Sequence, residues 1–533
     1  MSAATGAGTL IRLGLRRDRI ILPVWLYAIA GLTIVTAVAF IGLYPTVPAR
    51  LAFGQSLAGN PALLALTGPI FDSSSIGGLT AWRMGSLGGV LIGLASTLTV
   101  VRHTRAEEQE GRLELIGAGV VGRHAPLTAA VLLTGLVDLV IGLVAAVGLI
   151  ATGQPAAGSF AFGLSLAGVG LVFAAVAAVA AQLTESSRAA NGIAASVLGA
   201  TFLLRAIGDS AAPGGPRWLS WLSPISWGEQ VRPFAGNHWW LFAPLLGCAA
   251  LLLAGAFALA RRRDLGAGLI PPRPGPATAT PGLRTVLALG WRLHRGALIG
   301  WAVGFAVFGG VFGGIAQDVA SLLNSSPQMA RAMEQMGGAA GVVDSFLAAM
   351  YGLLGLVASI YTVQAALRLR GEETGLRAEP LLATSVSRSR WAASHIVFAA
   401  LGPVVLLAIS GVTAGLADGL RTGEVGRAIL RGLAGTLVQV PAVWVLAGLT
   451  VALFGLAPKV ASVAWAVVVV FLLLGQFGPI LRLPQWAMDI SPFTHVPKLP
   501  GGIFEGAPMG WLCLIAIGAT AAGLAGFRRR DLG

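Results

Sequence analysis

Long apolar runs, each close to 20 residues and nearly free of charge, constrain this 533-residue chain more than any other feature. A helix needs about that length to cross the hydrocarbon core of a bilayer. Twelve such runs fall near 20–42, 82–101, 125–151, 159–182, 190–209, 239–260, 297–316, 344–366, 391–417, 428–454, 460–480 and 509–527. With 56% hydrophobic and only 11% charged residues, the chain cannot cover a water-facing surface, since ordinary globular domains carry roughly a quarter charged residues. In lipid only helices or closed barrels satisfy every backbone group, and uninterrupted runs select helices over alternating strands. The expected fold class is an all-α membrane protein. The N-terminus leads into the first run with no small-residue cleavage site, so a retained helix is expected there.

Net charge is +14, but the basic residues sit in short segments between apolar runs, the pattern left by membrane insertion and not by nucleic-acid binding. Placing both termini in the cytoplasm puts 25 of the 36 Lys and Arg on the inner side, so an in–in topology in a bacterial inner membrane is expected. Cys248 and Cys513 both lie inside apolar runs, which excludes a disulfide framework and argues against a metal site. The stretch Leu51–Phe71 and its counterpart bearing Asp318, Arg331 and Glu334 read as amphipathic helices on the outer surface.

The chain repeats itself. RRRDLG occurs at Arg261–Gly266 and at Arg528–Gly533, each after a sixth run, and Ser223-Pro224 and Ser491-Pro492 both precede that run. Arg105–Arg123 aligns without gaps to Arg370–Arg388 at a spacing of 265 residues, matching Arg105/Arg370, Glu107/Glu372, Glu108/Glu373, Arg112/Arg377, Glu114/Glu379 and Arg123/Arg388. Six-span halves enter the membrane in the same sense, so the repeat is parallel, about an axis along the membrane normal. The expected domains are 1–266, a Pro-rich linker at 267–282, and 283–533.

The loops after the second run of each half, 102–124 and 367–390, concentrate the acidic residues of a chain that has only 22. On a helix Glu107, Glu110 and Glu114 share a face and Glu108 reaches Arg112. Orientation alone asks only for Arg, so a duplicated acidic loop points to a cytosolic element that a soluble partner can move.

These stretches, EEQEGRLELIGAGVVGRH after span two and WLSPISWGEQVRPFAGNHWW before span six, together with the basic amphipathic N-terminus, resemble permeases of actinobacterial ABC exporters of the ABC-2 type. In particular they resemble the double-length permeases described as polyketide-antibiotic (tetronasin-type) or multidrug exporters. The resemblance covers essentially the whole chain. It implies that each half is one transmembrane domain and that the loop after span two docks on a nucleotide-binding subunit. Glu107, Glu108, Gly111, Arg112 and Glu114 form the first coupling element so implied, and Glu372, Glu373, Arg377 and Glu379 the second. In the second, Leu376 stands where the first has glycine, and Gly375 precedes it. The resemblance further implies an amphipathic small-molecule cargo, two copies of a separate ATPase carrying ATP and Mg, no cofactor in this chain, and rocking of the halves around a cavity lined mainly by spans two and five.

No Walker A motif is present, since Lys459 and Lys498, the chain's only lysines, each follow a proline. No nucleophile–base pair emerges, so no catalytic residue is assigned, and His103, His124 and His395 lack ligand spacing. Asp138, Phe202, Arg205, Gln476 and Phe477 are candidates for the substrate pathway; for Asp138 a protonated or paired structural role competes, and Arg205 and Arg83 could instead snorkel from outer span ends. Trp218, Trp221, Trp227, Trp239 and Trp240 read as an interfacial belt in preference to a drug-binding box. Leu10–Arg19 and Leu283–Arg295 read equally as force-carrying interfacial helices or as anchors. A secondary transporter of the major facilitator kind shares the parallel repeat but calls for a basic loop between spans two and three. A scaffold or lipid-modifying enzyme calls for a polar cleft, and none is found.

Overall fold

The computed structural model describes residues 4–57, 61–211, 214–270, 278, 283–324, 341–477 and 484–530. It is an all-α membrane protein, and among the described residues eleven helices are long and apolar enough to cross a bilayer. The chain divides into two compact units, Met1–Pro274 and Gly275–Gly533.

In the first unit a short helix α1 (Ala7–Arg17) precedes the first span α2 (Ile21–Leu43). Two short helices, α3 (Val47–Leu57) and α4 (Pro61–Thr67), take up the stretch read as amphipathic. Its counterpart in the second unit falls largely outside the described residues. Span two, α5 (Ile76–Gln109), extends well beyond the hydrocarbon length and ends in the acidic loop, where α6 (Arg112–Gly117) forms a short step. Spans three to six are α7 (Ala125–Ala151), α8 (Ala156–Leu183), α9 (Ser187–Ser210) and α11 (Trp239–Arg261), with the short helix α10 (Pro224–Gln230) before the last.

The second unit repeats the order. Its spans are α12 (Val286–Asn324), α13 (Val342–Thr374), α15 (Arg388–Thr422), α16 (Val425–Leu456) and α19 (Gly506–Arg529), and α14 (Ala378–Leu382) is the step after span two. The run expected at 460–480 forms α17 (Val463–Phe477), which ends where the described residues stop, and α18 (Gln485–Met488) follows.

Spans two and four form the centre of each unit. In their apolar middles 67% of residues are buried in α5, α8 and α13 and 61% in α16, against 22% in α2, α9 and α11. Small residues allow this, because without a hydrophobic force between helices in lipid, association depends on close backbone approach. A Cβ at Gly142 would land on the Gly163 carbonyl oxygen, and one at Gly432 on that of Gly411, so spans three and four cross at paired glycines in both units. Pro403, midway along α15, removes a backbone donor, and nearby carbonyls find side-chain partners. The Tyr361 hydroxyl donates to the Phe398 carbonyl at 3.3 Å and the Trp444 indole to Ala400 at 2.9 Å.

Replacing Gly142 or Gly432 with Val forces the crossing helices apart, and overpacking of this kind costs about 1–3 kcal/mol. The expected outcome is a lower melting midpoint of the detergent-solubilised chain by size-exclusion thermal challenge, with Gly8→Val, where a Cβ meets nothing, as the unaffected control.

Candidate functional site: two charged elbows

At the end of α5 the helix breaks at Gly111, whose φ of +71° ends the regular turn. This corrects the expectation of one acidic helical face. Glu107 and Glu114 fall on separate segments, and Arg112 turns back to Glu107, its Nε 2.7 Å from Oε2, and to Glu110, not to Glu108. Glu108 instead lies between two other guanidiniums. Arg105 reaches it at 2.6 Å, and Arg263 binds it with two nitrogens at 2.7 and 2.9 Å. The side chains of Glu108, Arg105 and Arg263 are only 8%, 0% and 10% exposed, so these are buried ion pairs. Arg105 also donates to the carbonyls of Ala181 at 3.0 Å and Ala267 at 3.1 Å, and Arg263 to the Gln182 side chain at 2.6 Å. Four segments, the ends of spans two, four and six and the tail beyond, are thereby tied to one carboxylate.

The second unit reproduces this arrangement. Glu373 takes Arg370 at 3.0 Å and both terminal nitrogens of Arg530 at 2.7 and 2.9 Å, while Arg377 Nε reaches Glu372 at 2.8 Å. Arg263 and Arg530 are the third arginines of the duplicated RRRDLG tail, so the two most distinctive repeats of the sequence meet at one site in each unit. Arg123 and Arg388 hold the same tails from the other side, donating to the carbonyls of Arg263 at 2.9 Å and Arg530 at 2.6 Å. The sequence signal for this was the matched spacing of the two repeats, which shows that both are duplicated but not that they touch.

Leu376 occupies the left-handed turn that Gly111 takes in the first unit, with φ +55°, whereas Gly375 does not adopt it. A non-glycine residue in that conformation is strained by about 1–2 kcal/mol. Leu376 is exposed, as are Leu115 and Val120 on the first elbow, so apolar groups stand outward while the acidic pairs face in. Glu114 and Glu379 are exposed as well. Beside the first elbow His124 is held below its ordinary range, first by burial and then by the charges of Arg261 and Arg123, and so is neutral at pH 7.

The first elbow carries an extra clip. Arg17 at the end of α1 pairs with Glu107, and the adjoining Asp18, 1% exposed, meets His103 at 2.6 Å and Arg102 at 3.0 Å. In the second unit α12 runs unbroken from Val286, and His294 instead bonds His395 at 3.0 Å.

The pathway candidates scatter. Asp138 is buried at the junction of spans two, three and four, with the Ser96 hydroxyl 2.9 and 3.0 Å from its oxygens, and Gly170 leaves room for it. Arg205 does not snorkel. It is fully buried at the end of the unit opposite the elbow, its guanidinium 4.8 Å from the Phe202 ring centre. It donates to the carbonyls of Ala65 at 2.6 Å and Leu66 at 3.1 Å and pairs with Glu229 at 3.3 Å and Asp209 at 3.5 Å. Sequence reading missed Glu229 and Asp209. Gln476 and Phe477 close α17, and their side chains lie outside the described residues. At this same end Trp218, Trp221, Trp239 and Trp240 present exposed rings.

Replacing Leu376 with Gly is expected to raise stability by about 1 kcal/mol and Gly111→Leu to lower it by a similar amount, read as opposite shifts in melting midpoint.

Over residues 283–528 the chain matches the sequence model described as the multidrug efflux system permease Rv1217c, C-terminal domain. Over 532 residues it is 44% identical to the multidrug efflux system permease protein Rv1217c of Mycobacterium tuberculosis, covering 100% of this chain and 96% of that protein.

Proposed function

Because the chain belongs to the family of multidrug efflux system permeases, we propose that it is the transmembrane subunit of an ABC-type pump that exports amphipathic compounds and is driven by a separate ATPase. The observation that carries this reading is the duplicated elbow, an exposed tip mounted on a buried carboxylate that ties the end of span two to the tail after span six. The tips are placed in the cytosol, each over one copy of the ATPase, with both chain termini on that side and the membrane taken as the bacterial inner membrane. ATP and Mg belong to the ATPase, and this chain supplies no catalytic group.

The division of labour within an elbow differs from a simple acidic docking helix. Glu107, Glu108, Glu372 and Glu373 are engaged internally, so their role is to make the elbow move as one body with its spans. Leu115, Val120, Glu110 and Glu114 on the first tip, and Leu376, Arg377 and Glu379 on the second, are the side chains offered to the ATPase. Differential contacts at these tips let nucleotide state bias the spans, since a partner shifts an equilibrium only through contacts that differ between its states.

Co-purification of an ATPase, and transport in proteoliposomes that requires ATP, are the expected outcomes. Transport under a proton gradient with no ATPase present would overturn the reading. Glu108→Arg or Arg263→Glu alone leaves buried charge unpaired, which costs about 3–5 kcal/mol, and each is expected to abolish drug-stimulated ATP hydrolysis. The double swap Glu108→Arg with Arg263→Glu is expected to recover part of it, with ATPase co-purification reporting assembly separately from coupling.

A further inference from the structure

The buried cluster at the end of the first unit away from the elbow holds one guanidinium and two carboxylates. The side chains of Arg205, Asp209 and Glu229 are 0%, 5% and 8% exposed. Arg205 spends its two shortest hydrogen bonds on the carbonyls of Ala65 and Leu66, at the carboxy end of α4, which itself carries partial negative charge. Only its longer contacts, 3.3 and 3.5 Å, go to the carboxylates.

The elements around the cluster bring no second positive charge. Helix α4 has no titratable side chain, and α5 contributes Trp82 and Ser86, which bond the carbonyls of Gly68 and Leu66, while its Arg83 is exposed. In the turn Arg217–Leu222 the Ser220 hydroxyl donates to the Arg217 carbonyl at 2.9 Å, and Arg217 donates to the Ala211 carbonyl. Past α10, Arg232 bonds Gln230 and stacks on Phe71. Helix α8 packs Val169 and Ser165 near Gly228 and brings no charge there. Among the described residues no other cation pairs with Asp209 or Glu229. Two ionised carboxylates against one arginine would leave a net negative charge out of water, which a buried site relieves by binding a proton.

We propose that Arg205, Asp209 and Glu229 form a one-proton binding site, and that loss of the proton loosens the hold of α9 on α10 and α4. The position of Glu229 supports this, since burial pushes its carboxyl up from 4.5 to about 7, with Arg205 opposing and the charge of Asp209 adding. Among the described residues the second unit shows no equivalent. Counting from the shared Ser-Pro, Glu229 corresponds to Pro497, and α17 carries no charged residue. That the site faces the outside rests on the orientation proposed above.

The sign of the stability effect follows from linkage. The folded chain holds the proton between about 4.5 and 7, where the unfolded chain has released it, so stability falls as pH rises through that window and levels off above it.

Infrared difference spectroscopy of the full chain in lipid nanodiscs tests the site, on an Asp138→Asn background that removes the buried span carboxyl held by a hydroxyl and not by an arginine. A protonated-carboxyl band is expected to titrate with a midpoint near 7. Glu229→Gln should delete it, and Asp209→Asn should move the midpoint down by about one unit or more, because Arg205 then serves one carboxylate. A band that does not titrate in this range, or that survives Glu229→Gln, overturns the proposal. A melting midpoint that falls with rising pH in the unaltered chain and stays level in Glu229→Gln supports the loosening, and a level profile in both removes it. In sealed vesicles oriented by their elbows, titration from the side opposite the elbow is expected, and titration from the elbow side would retain the proton site while overturning its access from the far side.

Discussion

Each unit is organised around one carboxylate held out of water by two guanidiniums. Burying an ion pair is costly, and it becomes tolerable only when geometry is good and the remaining donors are satisfied. Glu108 meets that condition because backbone carbonyls and a side-chain amide take other N–H groups of Arg105 and Arg263, whereas at Glu373 the Arg530 guanidinium lies 4.9 and 5.2 Å from the ring centres of Phe454 and Phe527 and its buried Nε finds no hydrogen-bond partner. Removing one partner of such a pair costs about 3–5 kcal/mol. The Arg427–Glu424 pair, 72% and 55% exposed, belongs to a class worth about 0–1 kcal/mol. Only the buried kind can bind the ends of separate spans into one moving piece.

Duplication has preserved interactions more faithfully than residues. The left-handed turn persists with leucine in place of glycine, and the paired-glycine crossing of spans three and four recurs as Gly142/Gly163 and Gly411/Gly432. A backbone turn that swings the elbow back toward its tail is required wherever Arg112 or Arg377 must reach the glutamate five residues earlier. The strain at Leu376 is therefore retained, because relaxing it would give up the Arg377–Glu372 pair.

The helices were legible in the sequence because hydrophobic length is a one-dimensional signal. From Ile21–Leu43 to Gly506–Arg529 the observed spans follow the apolar runs. The elbow was legible as charge but not as geometry. A three-and-four spacing assumes an unbroken helix, and Gly111 breaks it, so Glu108 was assigned the wrong arginine. The right one, Arg263, is 155 residues away in sequence, and only folding brings it near. Arg205 was misread for a related reason. An arginine near a span end can snorkel, and the two acids that instead hold it buried lie on α9 and α10, with no sequence pattern joining Glu229 to the other two.

The asymmetries between the units follow from where each chain segment begins. In the first unit α1 is separate from the span that follows, and Arg17 and Asp18 clip it to Glu107, Arg102 and His103. The second starts with a helix continuous with its span, and the His294–His395 contact takes the place of the Asp18 cluster. Glu372 then finds its positive partners in Arg377 and Arg368, on its own helix and turn. In the second unit backbone continuity joins the segment before the first span to that span, whereas in the first unit ion pairs join the end of α1 to the end of span two.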